Sequence, residues 1–203
     1  MTIIVEAPAT ILHIAAQFAH ADPCKEAITG IHLLSTANGM RIAGTNGHFA
    51  FRCLVPFGND CSMTNDEGMG NCDLLLPAAV FKKKVAYARK AVISDGEVRF
   101  IGGKKEEGLL EARPCLECAW SFPSHFDSLW PDPASMENAP AAPTAFNADY
   151  MRIICDMAWK WSDNGIVKMW QGNSPISAML LSTSLDELTL QWLLLPVQLR
   201  DWS

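Results

Sequence analysis

Three stretches of the 203-residue chain share one order of features, and this repetition limits the possible folds more than any other property of the sequence. TIIVEAPATILHIAAQFAHA from Thr2, CDLLLPAAVFKKKVAYARKA from Cys72 and PTAFNADYMRIICDMAWKW from Pro143 each place a short apolar strand before a Pro or Asn and then a helix of about a dozen residues. The junction residues Pro8, Pro77 and Asn147 lie 69 and 70 positions apart. Inside the expected helices, Leu12/Ala16/Ala19, Phe81/Val85/Ala88 and Met151/Cys155/Ala158 occupy equivalent i, i+4, i+7 positions, so each helix offers one apolar stripe to a core.

Strand-like runs follow each helix. In the first repeat they are Ile31 to Thr36, Met40 to Thr45 and Phe49 to Pro56, with Asn38-Gly39 and Asn46-Gly47 as turns between them. The second repeat has Ala91 to Ser94, Glu97 to Ile101 and Leu109 to Glu117, turning at Asp95-Gly96 and Gly102-Gly103. The third has Ile166 to Gln171, Ile176 to Leu181 and Glu187 to Leu195. The expectation is an α+β chain of three βαβββ units: two in a domain spanning 1–131, one in a half domain spanning 143–203. The Pro- and Ala-rich stretch PDPASMENAPAAP sets 132–142 apart as a linker.

With 49% hydrophobic and 19% charged residues, the chain has enough apolar surface for a core, which excludes disorder as its main state. Sixteen Lys and Arg against 22 Asp and Glu leave a net charge of −6, so contact with a polyanion requires the cations to be gathered on one face. No apolar run approaches the length of a membrane span, and the N-terminal MTIIVEAPAT carries an acid where a secretory leader needs basic residues. A cytoplasmic protein is expected, and Met1 leading directly into a strand argues against accidental truncation. Seven scattered cysteines fit reduced thiols. Cys115 and Cys118 form the tightest pair, yet a structural zinc site needs a second pair or two histidines at similar spacing, so two thiols beside a strand is the simpler reading.

Catalysis finds no support in the motifs. There is no G-x-x-x-x-G-K-[ST], G-x-S-x-G or H-E-x-x-H, and Gly102-Gly103-Lys104-Lys105 lacks the hydroxyl and spacing of a phosphate loop. His48 beside Asn46 has no evident nucleophile or second titratable partner. A non-enzyme without cofactor or metal is expected.

The cations are unevenly placed. Lys82, Lys83, Lys84, Arg89 and Lys90 fall within the second expected helix, with Lys82 and Arg89 at i, i+7, giving one basic face. The third helix offers Arg152 and Lys160, while the first offers only His13, Gln17 and His20, with Lys25 in the loop beyond. Dispersed cations without base-reading side chains suit duplex contact at the phosphates, which confers affinity without sequence preference. The competing reading is an ordinary solvated face with Lys84 lying along the core edge.

In order and spacing, GIHLLSTANGMRIAGTNGHFAF (30 to 51), LLLPAAVF, SFPSHFDSLWP (121 to 131) and LQWLLLPVQLR (190 to 200) make the chain resemble the beta sliding clamps of bacterial DNA polymerase III. Residues 1 to 131 resemble a complete middle domain of such a clamp, and 143 to 203 the second half of its final domain. The family's first domain and half of its last have no counterpart, so the resemblance is to a shortened clamp. Members of that family close rings of six domains, or twelve βαβββ units, around DNA.

The resemblance implies a DNA replication or repair accessory protein that docks polymerase or clamp-loader peptides and contacts duplex DNA without sequence preference. Its DNA-facing residues would be Lys25, Lys82, Lys83, Arg89, Lys90, Arg152 and Lys160. Ala78 and Ala79 stand where clamps often carry basic residues. Its peptide pocket, carried over by motif, would be walled by Ile28, Thr45, Gly47, His48, Ala50, Pro123, Leu195, Pro196 and Val197. Ala50 is smaller than the branched residue often found there, and Gln198 stands where many clamps have Arg. The bland alternative for these residues is a domain-packing core. Three units do not make a whole number of two-unit domains, so homo-oligomerisation through 143–203 is expected, four chains supplying the units of one ring. The rival function is an adaptor or decoy that binds clamp-binding peptides without encircling DNA.

Overall fold

Pro8 ends the first strand and begins the first helix: its fixed φ of −61° is compatible with both, and the missing N–H costs nothing at a helix start. The computed structural model describes residues 3–20, 23–58, 60–65, 72–103, 108–119, 121–131, 147–161, 164–171 and 178–195. In chain order these form β1 (Ile3–Pro8), α1 (Ala9–Phe18), a 3₁₀ segment (Pro23–Ile28), β2 (Gly30–Thr36), β3 (Gly39–Thr45), β4 (Phe49–Val55), β5 (Ser62–Asn65) and β6 (Asp73–Pro77). There follow α2 (Ala79–Lys82), β7 (Ala88–Ser94), β8 (Glu97–Gly102), β9 (Leu109–Pro114), a 3₁₀ turn (Phe126–Leu129), α3 (Ala148–Trp161), β10 (Lys168–Gln171), β11 (Met179–Leu185) and β12 (Leu188–Leu194). The chain forms two lobes, Met1–Asn46 with Arg52–Pro123, and Gly47–Phe51 with Ser124–Ser203. The proposed linker, 132–142, lies outside the described residues. No described helix is long and apolar enough to cross a membrane.

In the first lobe the two repeats exchange their opening strands. β1 pairs antiparallel with β7 of the second repeat, Val5 opposite Ile93 and Ala7 opposite Ala91. β6, which opens the second repeat, pairs with β2 of the first, Ile31 opposite Leu76 and Leu33 opposite Leu74. Neither repeat closes its sheet alone, which explains why two make one domain. One sheet runs β5-β1-β7-β8-β9 and the other continues from β6 through β2 and β3 towards β4. β5, which the sequence reading passed over, pairs with the outer side of β1.

Helix α1 packs against β1, β2, β3, β7 and α2 and buries Ile11, Leu12, Ile14, Ala15, Ala16 and Phe18. Its approach to β3 is so close that a Cβ on Gly44 would collide with the Ala15 carbonyl oxygen; only glycine fits. β3 is buried along its whole length and β2 from Gly30 to Leu33, which encloses the polar side chains His32 and Arg41. The chain at Cys118 donates its N–H to the Leu75 carbonyl of β6 at 2.8 Å, and Phe122 stacks on buried His32 of β2 at 4.5 Å. His32 links two charged groups: Nδ1 accepts from the Arg41 guanidinium at 2.7 Å, which leaves Nε2 to donate to Asp73 at 2.6 Å.

One expectation fails in this lobe. The second helix is a single turn, Ala79–Lys82, and Lys83 is already extended, so Val85 and Ala88 belong to no helical stripe. Carbonyls that a longer helix would satisfy internally are taken by side chains instead. Arg113 donates to Val80 and Lys83, His13 to Phe81 and Gln17 to Lys82. These external donors supply the stop.

In the second lobe Asn147 begins α3, its side chain accepting the Asp149 N–H at 2.9 Å and its carbonyl accepting the Met151 N–H at 3.1 Å. The helix buries Ile154 and Ala158, whereas Cys155 is exposed. Of the expected stripe Met151/Cys155/Ala158, Ala158 is buried and Met151 half-buried, but Ile154 takes the core position in place of Cys155. β10, β11 and β12 form an antiparallel meander with Leu181 opposite both Met169 and Trp192. β11 spans Met179–Leu185 rather than Ile176 to Leu181: Ser182 and Thr183 are buried, and the Thr183 hydroxyl donates to the Ile166 carbonyl. β12 neighbours β4, whose first residues belong to this lobe.

Candidate functional site

Gly47 holds φ at +87°, which turns the chain sharply into β4 and leaves His48 exposed at the surface of the second lobe. Behind it, Phe49, Ala50 and Phe51 are buried. Phe49 stacks on Tyr150 of α3 at 4.2 Å and Phe51 lies 6.0 Å from Trp192 of β12. The His48 ring lies nearly parallel to Tyr150, 6.3 Å away. At the end of β12 the Leu195 N–H donates to the His48 carbonyl at 3.0 Å, while its side chain stays 40% exposed. His48, Tyr150 and Leu195 thus form a surface that is apolar in body and polar at one edge, carried by strands and a helix rather than by a free loop.

Of the expected pocket residues, the structure brings Gly47, His48, Ala50 and Leu195 together here, with Ala50 beneath the surface. Ile28, Thr45 and Pro123 belong to the first lobe; Ile28 ends the 3₁₀ segment half-buried, Thr45 ends β3 buried, and Pro123 is half-buried. Pro196 and Val197 lie outside the described residues. Sequence reasoning missed Tyr150. The available signal was its position one turn before Ile154 on α3, where an aromatic side chain reaches the strand end that the same helix covers.

The expected DNA-facing cations do not share one helix face. Lys25 is exposed in the 3₁₀ segment, and Lys82 and Lys83 are exposed at and beyond the end of α2. Arg89 and Lys90 lie on β7, not on a helix, because α2 stops after one turn. Arg89 is paired with Asp60 at 2.7 Å and Lys90 with Glu6 at 2.9 Å. Arg152 sits between Asp149 and Asp156 on its own helix, at 3.8 and 3.7 Å, and Lys160 is exposed in the last turn of α3. Three of the seven expected cations therefore already face a carboxylate, which lowers what they can offer to phosphate.

Burial pushes the Cys115 thiol up to about 12 and also raises Cys118, which opposes the thiolate character that zinc ligation or redox exchange needs. Among the described residues no three or more His, Cys, Asp or Glu side chains are grouped to hold a metal.

A scan of protein-family models and a search of curated proteins find no match. Solved structures match well. The Helicobacter pylori beta clamp in complex with diflunisal superposes with a TM-score of 0.67 at 11% identity, over 97% of this chain and 66% of that one. The Caulobacter crescentus beta sliding clamp gives 0.63 at 11% identity, again over 97% and 66%. The beta subunit from DNA polymerase of Streptococcus pyogenes gives 0.57 at 12% identity, over 93% and 63%. The chain has the α+β fold of the bacterial sliding clamps and spans just under two thirds of the length of these relatives.

Proposed function

We propose that the chain is a sliding-clamp-like accessory protein of DNA replication or repair, and that it captures short peptides from polymerases or clamp loaders on the surface around His48, Tyr150 and Leu195. The observation that carries this reading is the coincidence of a clamp fold over nearly the whole chain with an exposed leucine hydrogen-bonded to a glycine-turned strand start. A Leu or Phe anchor would lie against Leu195 and the Tyr150 ring, and polar peptide groups would meet the edge at His48. Duplex DNA would be contacted through phosphates alone, by Lys25, Lys82, Lys83 and Lys160, with Arg89, Lys90 and Arg152 contributing less because each is already paired.

Titration calorimetry tests the docking. A peptide with Gln followed by spaced Leu and Phe is expected to bind at micromolar strength, and Leu195→Asp to abolish binding by setting an unpaired charge on the apolar surface. Binding that survives this substitution would remove the peptide from this surface.

The paired cations favour a second reading, an adaptor that binds such peptides without encircling DNA. Retention on nicked circular DNA with loss from linear DNA separates the ring from the adaptor.

A further inference from the structure

Because α2 is cut to one turn, residues 83–87 form an exposed loop where a helix was expected. The loop is held from below at successive points. Gln17 donates to the Lys82 carbonyl at 3.2 Å, Arg113 to the Lys83 carbonyl at 2.9 Å, and Gly103 to the Tyr87 carbonyl at 3.3 Å. Arg113 is itself fixed, its guanidinium 4.9 Å above the Phe100 ring and its Nε 2.7 Å from Glu111.

Tyr87 ends this loop 63% exposed, with φ at +62°. The Ala88 N–H donates to the Val85 carbonyl at 3.3 Å, so Tyr87 is the third residue of a turn whose positive φ there ordinarily selects Gly or Asn. A bulky aromatic in the left-handed region works against folding, and it gains little burial in return. Beside it Lys82, Lys83 and Lys84 are all exposed. A solvent-facing aromatic ring on a backbone held in place, with three exposed cations just before it in the chain, matches the two elements of a single strand, a flat base and its phosphates. A duplex hides its base faces in the stack and would leave the ring unused.

We propose that this loop binds single-stranded DNA, Tyr87 stacking on an unpaired base while Lys82, Lys83 and Lys84 engage neighbouring phosphates. The proposal rests on the reading of the protein as a DNA-contacting clamp relative and adds to it a site for unpaired template.

Fluorescence anisotropy with a labelled oligothymidine of about twenty nucleotides, and with a duplex of equal length, tests it on the full chain at low salt. Tyr87→Ala is expected to weaken single-strand binding about tenfold, the scale of losing one stacked base, with duplex affinity unchanged. Tyr87→Trp is expected to retain binding. Tyr87→Gly relieves the backbone, so its thermal midpoint should equal or exceed that of the parent while its single-strand affinity falls like that of the Ala variant. That opposition between stability and binding would not arise from a merely structural role. Single-strand affinity indifferent to Tyr87→Ala would overturn the proposal. If, in that case, Lys82→Glu still weakened duplex binding, the broader DNA reading would stand. Tyr87-dependent single-strand binding without any duplex binding would support the loop site and sink the duplex reading, and absence of binding to either probe would overturn both.

Discussion

The buried thiols link single residues to the stability of the chain. Burial raises Cys53 and Cys72 to about 12, Cys61 to about 11 and Cys115 to about 12, each from an ordinary value of 9.0. The folded state therefore keeps these groups neutral in a range where the unfolded chain would ionise them. Their contribution is fully present below pH 9 and is lost as pH rises from there towards 12, since the unfolded state releases protons that the native state retains. Urea midpoints should stay flat between pH 7 and 8.5 and then fall, the loss of stability being at most about 1.4 kcal/mol per buried thiol for each pH unit above 9. Below that range, alkylation of the native protein should modify exposed Cys155 first and leave Cys53, Cys61, Cys72 and Cys115 untouched until denaturant is added. Rapid native modification of Cys53, which is only 1% exposed, would contradict the packing of β4.

At the scale of the element, Arg113 terminates α2, and its removal should show what holds the basic loop. Arg113→Met keeps much of the side chain's length but deletes the donors to Val80 and Lys83 and the partner of Glu111, whose carboxyl that pairing holds below its usual range. Loss of charged hydrogen bonds of this kind costs about 2 kcal/mol. Urea denaturation should show a loss of that order, and hydrogen exchange should speed up at Val85 to Ala88 while the amides of β2 and β3 stay protected. The same element marks the limit of what the sequence discloses. Repeat spacing locates α1, α3 and the meanders to within a few residues, because Leu12, Ala16 and Ala158 obey a local period, and because Asp95-Gly96 adopts positive φ at both turn positions. Local period could not reveal that donors from residues 13, 17 and 113 would cap a helix ending at 82. Nor could it place Tyr150 against Phe49, since that contact depends on how α3 lies over a distant strand. That Gly47, His48 and Leu195 come together was legible because a turn motif and a terminal apolar strand carry them. The paired state of Arg89 and Lys90 was not, because Asp60 and Glu6 meet them only across a sheet.

At the scale of the whole molecule, strand exchange sets the expectation for assembly. In the first lobe the opening meander strand of each repeat is flanked by the opening strand of the other, β2 by β6 and β7 by β1. The third repeat places β10 in the equivalent position, and among the described residues no strand flanks it on its outer side. Met169 on this strand and Ile166 just before it are each 60% exposed, and Trp159 on α3 is 80% exposed. An open edge with apolar side chains beside it is the surface a second copy would cover, the two third repeats meeting about a twofold axis so that each completes the other's sheet. Light scattering coupled to size exclusion should then give about twice the 22.3 kDa of one chain at micromolar concentration. Met169→Lys, which puts a charge on the edge without disturbing a buried position, should return the mass to that of one chain and leave the unfolding midpoint of the first lobe unchanged. A parent protein that stays at 22.3 kDa up to tens of micromolar would remove pairing through β10, and the adaptor reading would then be preferred over any ring built from four such chains.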